Sequence, residues 1–179
     1  MKFCSNCASP VVWRVPPGDS LPRHVCDQCG EIHYQNPKLV VGSVPEWEGR
    51  LLLCRRAIEP RYGYWTLPAG FMENDETTAE AALRETLEEA GTRVVLTEPF
   101  SMISVRRVNQ VHVFFRARLV DLEFRPGAET LEVALFEEAK VPWSEIAFRT
   151  VSLTLEHWFA DRGKGAFGFH VAEVPSRQA

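Results

Sequence analysis

Acidic side chains recur at helical spacing between residues 70 and 92 of this chain. Glu85, Glu88 and Glu89 lie at positions i, i+3 and i+4, which places their carboxylates on one face of a helix. Clustered carboxylate oxygens suit a hard divalent ion such as Mg²⁺ or Mn²⁺. A solvated acidic face is the simpler explanation of an isolated E-x-x-E-E pattern, so the surrounding residues must decide between the two.

The segment that carries these glutamates has the signals of a helix from Thr77 to Ala90. Thr77-x-x-Glu80 is typical of a capping box, in which two side chains bind the free amides of a first helical turn. Gly91 follows where the helix should end, because glycine readily adopts the left-handed conformation of a helix terminus. We expect the helix to pack on a sheet through an apolar stripe formed by Leu83, Leu87 and Ala90.

A second group of chemically competent residues lies near the start of the chain. Two C-x2-C pairs, separated by 18 residues, are formed by Cys4, Cys7, Cys26 and Cys29. Four thiolates at this spacing can surround one tetrahedral Zn²⁺, whereas two disulfides or a redox pair are the alternatives. The sequence therefore predicts a zinc ribbon over residues 1–35, stabilised by its metal because so short a segment has little core. We interpret His24 and His33 as bystanders and Cys54 as a buried core thiol.

Composition bounds the remaining functions. The chain has 179 residues, 45% hydrophobic and 25% charged, with a net charge of −4. This balance is typical of a globular protein and argues against binding along a nucleic-acid backbone, which needs clustered basic residues. The sequence shows neither a signal peptide nor an apolar run of about 20 residues, the length of a membrane span. We therefore expect a cytoplasmic protein that binds neither nucleic acid nor membrane.

The pattern beyond the ribbon alternates strands with two helices. Strands are predicted at residues 38–44, 50–56, 94–96, 101–105, 111–120 and 133–137. The second helix is expected from Thr150 to about Asp161, where apolar residues recur at helical spacing. These elements predict an α/β sandwich around a mixed sheet over residues 36–165, followed by a loosely ordered tail at 166–179.

The acidic helix also carries a specific motif, the Nudix box G-x5-E-x7-R-E-U-x-E-E-x-G-U, where U is a bulky apolar residue. All of its fixed positions are matched, by Gly70, Glu76, Arg84, Glu85, Glu88, Glu89 and Gly91. Thr86 and Thr92 occupy the two U positions and depart from the pattern, which predicts slightly weaker packing. The chain thus resembles the Nudix hydrolases, and the resemblance implies their α/β/α sandwich fold.

That resemblance also implies an activity and a ligand set. Nudix enzymes hydrolyse a nucleoside diphosphate linked to another moiety, with Mg²⁺ or Mn²⁺ held by the helix carboxylates. By position, Glu85, Glu88 and Glu89 are the expected metal ligands, and the Gly70 carbonyl is a further candidate. Arg84 is expected to orient a ligand carboxylate, and the resemblance assigns Glu76 as a structural brace. The expected partner is a nucleotide-derived small molecule, and a homodimer is left open.

The general base and the substrate contacts are less determined by the motif. Glu132 is the first candidate for the base, Glu129 the second, and Glu89 itself the third. The candidates for substrate contact are the aromatic cluster Tyr62, Tyr64 and Trp65, the pair Arg55 and Arg56, and, with weaker claims, Arg106 and Arg107.

Substrate choice rests on the wider resemblance. The ribbon resembles that of NADH pyrophosphatases, but the SQPWPFP-like stretch of that subfamily is missing, and SMISVRRVNQ stands in its place. The segments NPKLVVG, RRAIEPRYGYWTLPAGFME and NQVHVFFRARL look like a subgroup acting on FAD and ADP-ribose. We therefore expect cleavage of FAD or ADP-ribose to AMP and a phosphorylated product. The alternatives are NADH, a nucleoside triphosphate, or a non-catalytic module that binds nucleic acid or protein.

Overall fold

The computed structural model describes residues 1–175 and divides the chain into two compact units. The first comprises Met1–Pro37, and the second begins at Lys38. Neither helix in the described part of the chain has the length and apolar character needed to span a bilayer.

The first unit is a small antiparallel sheet built around the cysteine pairs. Its strands are β1 (Val11–Arg14), β2 (Arg23–Cys26) and β3 (Ile32–His33), in the order β1-β2-β3. Cys26 ends β2, and the turn after it closes when the Gly30 N–H donates to the Cys26 carbonyl at 2.9 Å. Gly30 has a φ of +76°, a conformation that glycine adopts without steric cost.

The second unit is a mixed sheet with two α-helices. Its elements are β4 (Lys38–Trp47), β5 (Arg50–Arg56), β6 (Trp65–Thr66), β7 (Ala69–Phe71), α1 (Thr78–Ala90), β8 (Val94–Val105), β9 (Gln110–Leu119), β10 (Thr130–Phe136), α2 (Arg149–Lys164) and β11 (His170–Glu173). Three short 3-10 helices, at Arg106–Val108, Glu138–Lys140 and Trp143–Glu145, connect them. The sheet order is β10-β5-β4-β9-β8-β11, with β6 beside β5 and β7 beside β4. Strand β4 runs parallel to β9, and β11 runs parallel to β8.

The core lies on both faces of this sheet, because successive strand residues point to opposite sides. Leu51 and Leu53 of β5 pack in the cluster that includes Leu155 and Trp158 of α2. The intervening Leu52 and also Cys54 belong to a separate cluster that includes Ala90 at the end of α1. The predicted α/β sandwich around a mixed sheet is therefore confirmed, and so is the buried position of Cys54.

Helix α1 begins and ends as predicted, but it packs on a different face. Thr77 caps the helix through the predicted capping box, and Gly91 is left-handed at its end. The expected apolar stripe is wrong for Leu83 and Leu87, which are 40% and 52% exposed, whereas its third member, Ala90, is buried as predicted. Small residues, Ala81, Ala82, Thr86 and Ala90, face the sheet instead.

Thr86 shows why the small face is preferred. Its hydroxyl is fully buried, donates to the Ala82 carbonyl at 2.6 Å, and accepts from the Ser43 hydroxyl of β4 at 2.6 Å. A close helix–sheet approach thus brings two hydroxyls into contact, which leucine side chains would prevent. The same approach turns Glu85 and Glu89 toward the sheet, so both are largely buried.

The C-terminal region is more ordered than the sequence indicated. Helix α2 continues to Lys164, and β11 pairs with β8 within the segment expected to be loosely ordered. That expectation is wrong for the residues of β11. The segment is fixed by its non-local pairing with β8 and by Asp161 of α2, which accepts hydrogen bonds from the His170 ring at 2.7 Å and from the Gly168 N–H at 3.0 Å. The rest of the predicted tail, residues 176–179, lies outside the described residues.

Candidate active site

A cleft of about 1130 Å³ opens in the second unit, and the acidic face of α1 lines it. One part of its lining comes from α1 and from the neighbouring strand β7. Another part comes from the start of β9 and the start of α2. The loop that precedes β10 contributes Ala128 and Glu129. The cleft therefore joins segments that are far apart in the sequence.

The helix carboxylates differ in their surroundings. Glu85 and Glu89 are largely buried, whereas Glu88 is exposed. Burial raises the pKa of Glu85 above its ordinary value. Burial also raises the pKa of Glu89 to about 8, with the nearby Glu85 charge adding to the effect and the Ala69 N–H, which donates to Glu89 at 3.0 Å, opposing it. Two buried carboxylates side by side are unfavourable as anions, so a cation in the cleft would stabilise both.

Arg84 ties the helix to the loop before it. Its guanidinium donates to Glu76 at 2.7 and 3.0 Å and to the Phe71 carbonyl at 3.1 Å. It also bonds Glu85 at 2.7 Å and Glu88 at 3.2 Å. The hydrogen bonds from Arg84 lower the pKa of Glu76 to about 2. Arg84 and Glu76 thus form a brace that fixes the backbone next to the carboxylates.

The residues of this end of the cleft fit a hard divalent ion. The available metal-binding atoms are carboxylate oxygens and backbone carbonyl oxygens, the ligands that Mg²⁺ and Mn²⁺ prefer. Gly70 of β7 lies so close to the helix that a Cβ added there would overlap the Glu85 carboxylate. Among residues 1–175, only the four cysteines place three or more potential ligand atoms within 4.8 Å of one another. The glutamates are more spread, which suits an ion such as Mg²⁺ that retains several waters.

The loop at 125–129 is held against the end of α1 by the free carbonyls of the helix. The Arg125 N–H donates to the backbone carbonyl of Ala90 at 2.9 Å, and the Gly127 N–H donates to the backbone carbonyl of Glu89 at 3.1 Å. A Cβ added at Gly127 would overlap the Glu88 carbonyl oxygen. Only glycine allows this approach, and through it Glu129 reaches the cleft beside the helix.

Replacing Gly127 by alanine should therefore lower turnover about tenfold or more while the protein remains folded. The added methyl group pushes the loop away from α1 and displaces Glu129, the second candidate for the general base. Misplacing a group with such a role by about 1 Å can cost as much as about 100-fold. Gly163→Ala is the matched control, because Gly163 lies in α2 with no atom within 4 Å of its added Cβ. Steady-state kinetics and melting temperatures of both variants check this. Equal turnover in the two would contradict the role given to the loop.

The ribbon holds a second candidate site. The Sγ atoms of Cys4 and Cys29 are 3.7 Å apart, those of Cys7 and Cys26 are 3.5 Å apart, and none of the four cysteines is in a disulfide. These separations are close to the edge of a tetrahedron with Zn–S bonds of about 2.3 Å. His33 was interpreted as a bystander, but its ring lies 3.3 Å from Cys4 Sγ. His33 therefore contacts a candidate zinc ligand without being one of the four.

Family comparisons agree with both sites. Residues 2–35 match the Nudix N-terminal model, Zn_ribbon_Nudix, and residues 37–159 match the NUDIX domain model. The chain belongs to the Nudix family. The crystal structure of a NUDIX hydrolase from Nitrosomonas europaea has a TM-score of 0.95 and 51% identity, covering 98% of this chain and all of that one.

Two curated relatives of this Nudix protein carry more specific names. The NAD-capped RNA hydrolase NudC of Chromobacterium violaceum is 37% identical over 95 residues, which is 52% of this chain and 33% of that protein. The ADP-ribose pyrophosphatase of Methanocaldococcus jannaschii is 28% identical over 116 residues, 61% of this chain and 67% of that protein. The matched part thus spans about a third of the first relative and two thirds of the second.

The structure separates the two candidate bases outside the Nudix box. Glu129 lines the cleft, whereas Glu132 does not and instead pairs with Arg55 at 3.7 Å. Glu132, the first candidate for the general base, therefore lies outside the cleft, and Glu129, the second, lies within it. The register of β10 against β5 is irregular between Thr130 and Glu132, and the alternation of β5 sends Arg56, but not its neighbour Arg55, toward the cleft.

The expected aromatic cluster lies elsewhere. Trp65 is buried in the core against Phe136, with ring centroids 4.9 Å apart. Tyr62 is exposed, Tyr64 lies under the Arg61 guanidinium, and neither lines the cleft. Of the weaker basic candidates, Arg107 lines the cleft, while Arg106 pairs with Glu173 at 2.8 Å.

Sequence reasoning missed the residues that form the other end of the cleft. These are Gln110 and His112 of β9 together with Phe148, Arg149 and Thr150 at the start of α2. The one signal in the local sequence is that Gln110 and His112 are two residues apart at the beginning of a strand, which places both side chains on the same face of the sheet. Nothing local indicates that β9 and α2 meet there.

Proposed function

We propose that this Nudix protein is a divalent-metal-dependent pyrophosphohydrolase that cleaves ADP-ribose or FAD to AMP and a phosphorylated product. The observation that carries the proposal is the pair of buried carboxylates, Glu85 and Glu89, beside the Gly70 backbone in a large cleft. The volume of about 1130 Å³ slightly exceeds the usual range for ligand sites, about 300–1,000 Å³. Such a cleft has room for a dinucleotide-sized substrate.

Four acidic residues of the cleft have a proposed task. Glu85, Glu88 and Glu89, with the Gly70 carbonyl, hold Mg²⁺ or Mn²⁺. When bound, the metal neutralises the diphosphate and lowers the pKa of water. Glu129 is the proposed general base, since it lines the same cleft and its charge contributes to the raised pKa of both Glu85 and Glu89.

The basic residues of the cleft are proposed to bind the phosphates. Arg56 lies near Glu89, and its positive charge partly offsets the effect of burial on the pKa of Glu89. The Arg56 guanidinium sits 5.0 Å from the centre of the Phe148 ring. Arg107 and Arg149 also line the cleft. Guanidinium groups bind phosphate oxygens in a bidentate geometry, which fixes a diphosphate more firmly than a single ammonium group would.

The substrate class follows from two sources. One relative is named for ADP-ribose and another for NAD-capped RNA, and both names describe a pyrophosphate joined to adenosine. The resemblance to the FAD and ADP-ribose subgroup, and the missing NADH stretch, favour ADP-ribose or FAD. An NADH-type substrate is the second candidate, favoured by the 37% identity to NudC. We propose free nucleotides over RNA, since the net charge of −4 does not favour RNA.

Side-by-side kcat/KM values for ADP-ribose, FAD, NADH, NAD-capped RNA and a nucleoside triphosphate test this proposal. We expect ADP-ribose and FAD to be cleaved within about tenfold of each other, because a stacked ring adds only about 0.5–1.5 kcal/mol. AMP should be a product of both, as identified by chromatography. A thousandfold preference for NADH, capped RNA or the triphosphate would overturn it. Binding without turnover of any substrate would indicate a non-catalytic module.

A further inference from the structure

Three polar side chains form a hydrogen-bonded chain at the end of the cleft opposite the box. The Thr150 hydroxyl lies 3.0 Å from His112 Nδ1, and His112 Nε2 lies 3.0 Å from Gln110 Oε1. All three residues line the cleft, and Thr150 is buried in the first turn of α2. This series of hydrogen bonds runs from Thr150, which is fixed in α2, through His112 to Gln110, which borders the open cleft.

The direction of these hydrogen bonds follows from the protonation of His112. Burial lowers the pKa of His112 to about 4, so its ring is neutral at pH 7 and carries one N–H. The Gln110 carbonyl oxygen can only accept, so Nε2 carries the hydrogen and Nδ1 accepts from Thr150. The Gln110 amide is thereby oriented, and its NH₂ group has no protein partner within residues 1–175.

The position of this group relative to the carboxylates is set by strand register. Val40 of β4 is paired with Phe71 of β7 on one side and with His112 of β9 on the other. Two strand spacings, about 10 Å, therefore separate His112 from Phe71, the neighbour of Gly70. Val40 itself lines the cleft between them. A nucleotide with its phosphates at the carboxylates can extend its base across this distance.

We propose that Gln110 selects the base of the substrate, donating from its NH₂ group to an acceptor ring nitrogen of adenine. His112 is a positioning residue that holds the Gln110 amide in the donating orientation, and Thr150 holds His112. Glutamine is a common reader of adenine, because its amide matches the donor and acceptor atoms on the edge of that base. This inference rests on the proposed function, since it assumes an adenine nucleotide in the cleft.

Binding of AMP tests the inference without catalysis, because AMP has no pyrophosphate to cleave. Calorimetric Kd values in Mg²⁺ buffer are compared for AMP, 1-deaza-AMP and 7-deaza-AMP, each deaza analogue lacking one acceptor nitrogen. Wild-type protein should bind one of the two analogues about tenfold more weakly than AMP, the cost of leaving the donor unpaired. Gln110→Met keeps the length of the side chain and should bind that analogue and AMP equally.

Two further variants separate recognition from stability. His112→Phe keeps an aromatic ring but cannot hold Gln110, so it should lose the same discrimination, while a purely structural role would change the melting temperature and leave the analogue ratio as in wild type. Gln35→Met, an exposed glutamine of the ribbon, is the matched control and should retain wild-type ratios.

The outcomes also distinguish this inference from the proposed function. If hydrolysis of ADP-ribose is efficient but neither deaza analogue binds more weakly than AMP, the base-reading role of Gln110 is overturned and the activity stands. The role is likewise overturned if Gln110→Met keeps the wild-type ratio. If the ratio depends on Gln110 but no substrate is cleaved, the inference stands and the proposed activity fails.

Discussion

Replacing Glu89 by glutamine should lower kcat for ADP-ribose by at least about 100-fold. Residues that only support a metal ligand typically cost about 10–100-fold when mutated, so a ligand itself should reach the upper end of that range. Glutamine keeps the shape of Glu89, and its Oε1 can still accept from the Ala69 N–H. The variant therefore removes the negative charge that would hold the ion and little else.

The same variant should be at least as stable as wild type when metal is absent. In metal-free protein the pKa of Glu89 is raised to about 8, so folding becomes less favourable as pH rises from its ordinary value of 4.5 through 8. A neutral amide avoids this penalty, and the melting temperature of Glu89→Gln should exceed that of wild type at pH 8. Metal must displace the proton of Glu89, so wild-type affinity for Mg²⁺ should rise with pH over the same window.

Kinetics at saturating Mg²⁺ and thermal melting at pH 6 and pH 8 provide the measurement. Glu123→Gln makes the same chemical change at an exposed position outside the cleft and serves as the control. If Glu89→Gln retained turnover within about threefold of the control, Glu89 would have no place among the metal ligands.

Replacing Cys26 by serine should unfold the ribbon. Cys26 is fully buried, and its sulfur belongs to the group of four that fits a tetrahedral ion. Structural Zn²⁺ contributes about 10–16 kcal/mol in small zinc domains, as much as the whole stability of a typical folded protein, about 5–15 kcal/mol. A segment of fewer than about 40 residues has too small a core to replace that contribution. Loss of one thiolate should therefore remove both the metal and the fold of residues 1–37.

Elemental analysis and limited proteolysis measure the two effects. Reduced wild-type protein should contain one zinc per chain, and Cys26→Ser much less, with rapid cleavage within the ribbon. Cys54→Ser alters a cysteine outside the cluster, and this variant should contain as much zinc as the wild-type protein. Absence of zinc from carefully reduced wild-type protein would favour the redox or disulfide alternative over a zinc ribbon.

Features encoded by short-range interactions could be predicted from the sequence. The capping box at Thr77 and Glu80 and the left-handed Gly91 define α1 within the segment itself, and the structure places its ends there. Each C-x2-C motif is likewise a local signal, and the structure brings the two motifs together so that Cys4 lies beside Cys29 and Cys7 beside Cys26. In both cases the residues that form the feature are also the residues that carry its signal.

Features that depend on what packs against a segment could not be predicted in this way. Leu83 and Leu87 have the right spacing for a buried stripe, yet the close contact between Thr86 and Ser43 puts the opposite, small face against the sheet. The strand at His170–Glu173 forms because β8 offers a free edge, and its own short sequence gives little sign of it. Strand pairing is a non-local choice, and periodicity within one segment does not contain it.

The cleft shows the same limit for function. The carboxylates share one helix, so their convergence could be read from spacing. The position of Glu129 depends on the contact between Gly127 and α1, and Gln110 is linked to Thr150 through His112 only after β9 and α2 have packed. Glu129 and Glu132 stand close together in the sequence, and only the irregular register of β10, where Glu132 pairs with Arg55, separates them.

The central claim is that the carboxylate end of the cleft hydrolyses an adenosine pyrophosphate with a divalent ion. The most direct test is the rate of AMP release from ADP-ribose as Mg²⁺ is added to protein stripped of loosely bound metal and checked to retain its zinc. We predict no release without Mg²⁺, a saturable rise in wild type, and almost none in Glu89→Gln at any Mg²⁺ concentration. Release at the full rate without Mg²⁺, or an equal rise in Glu89→Gln, would contradict it.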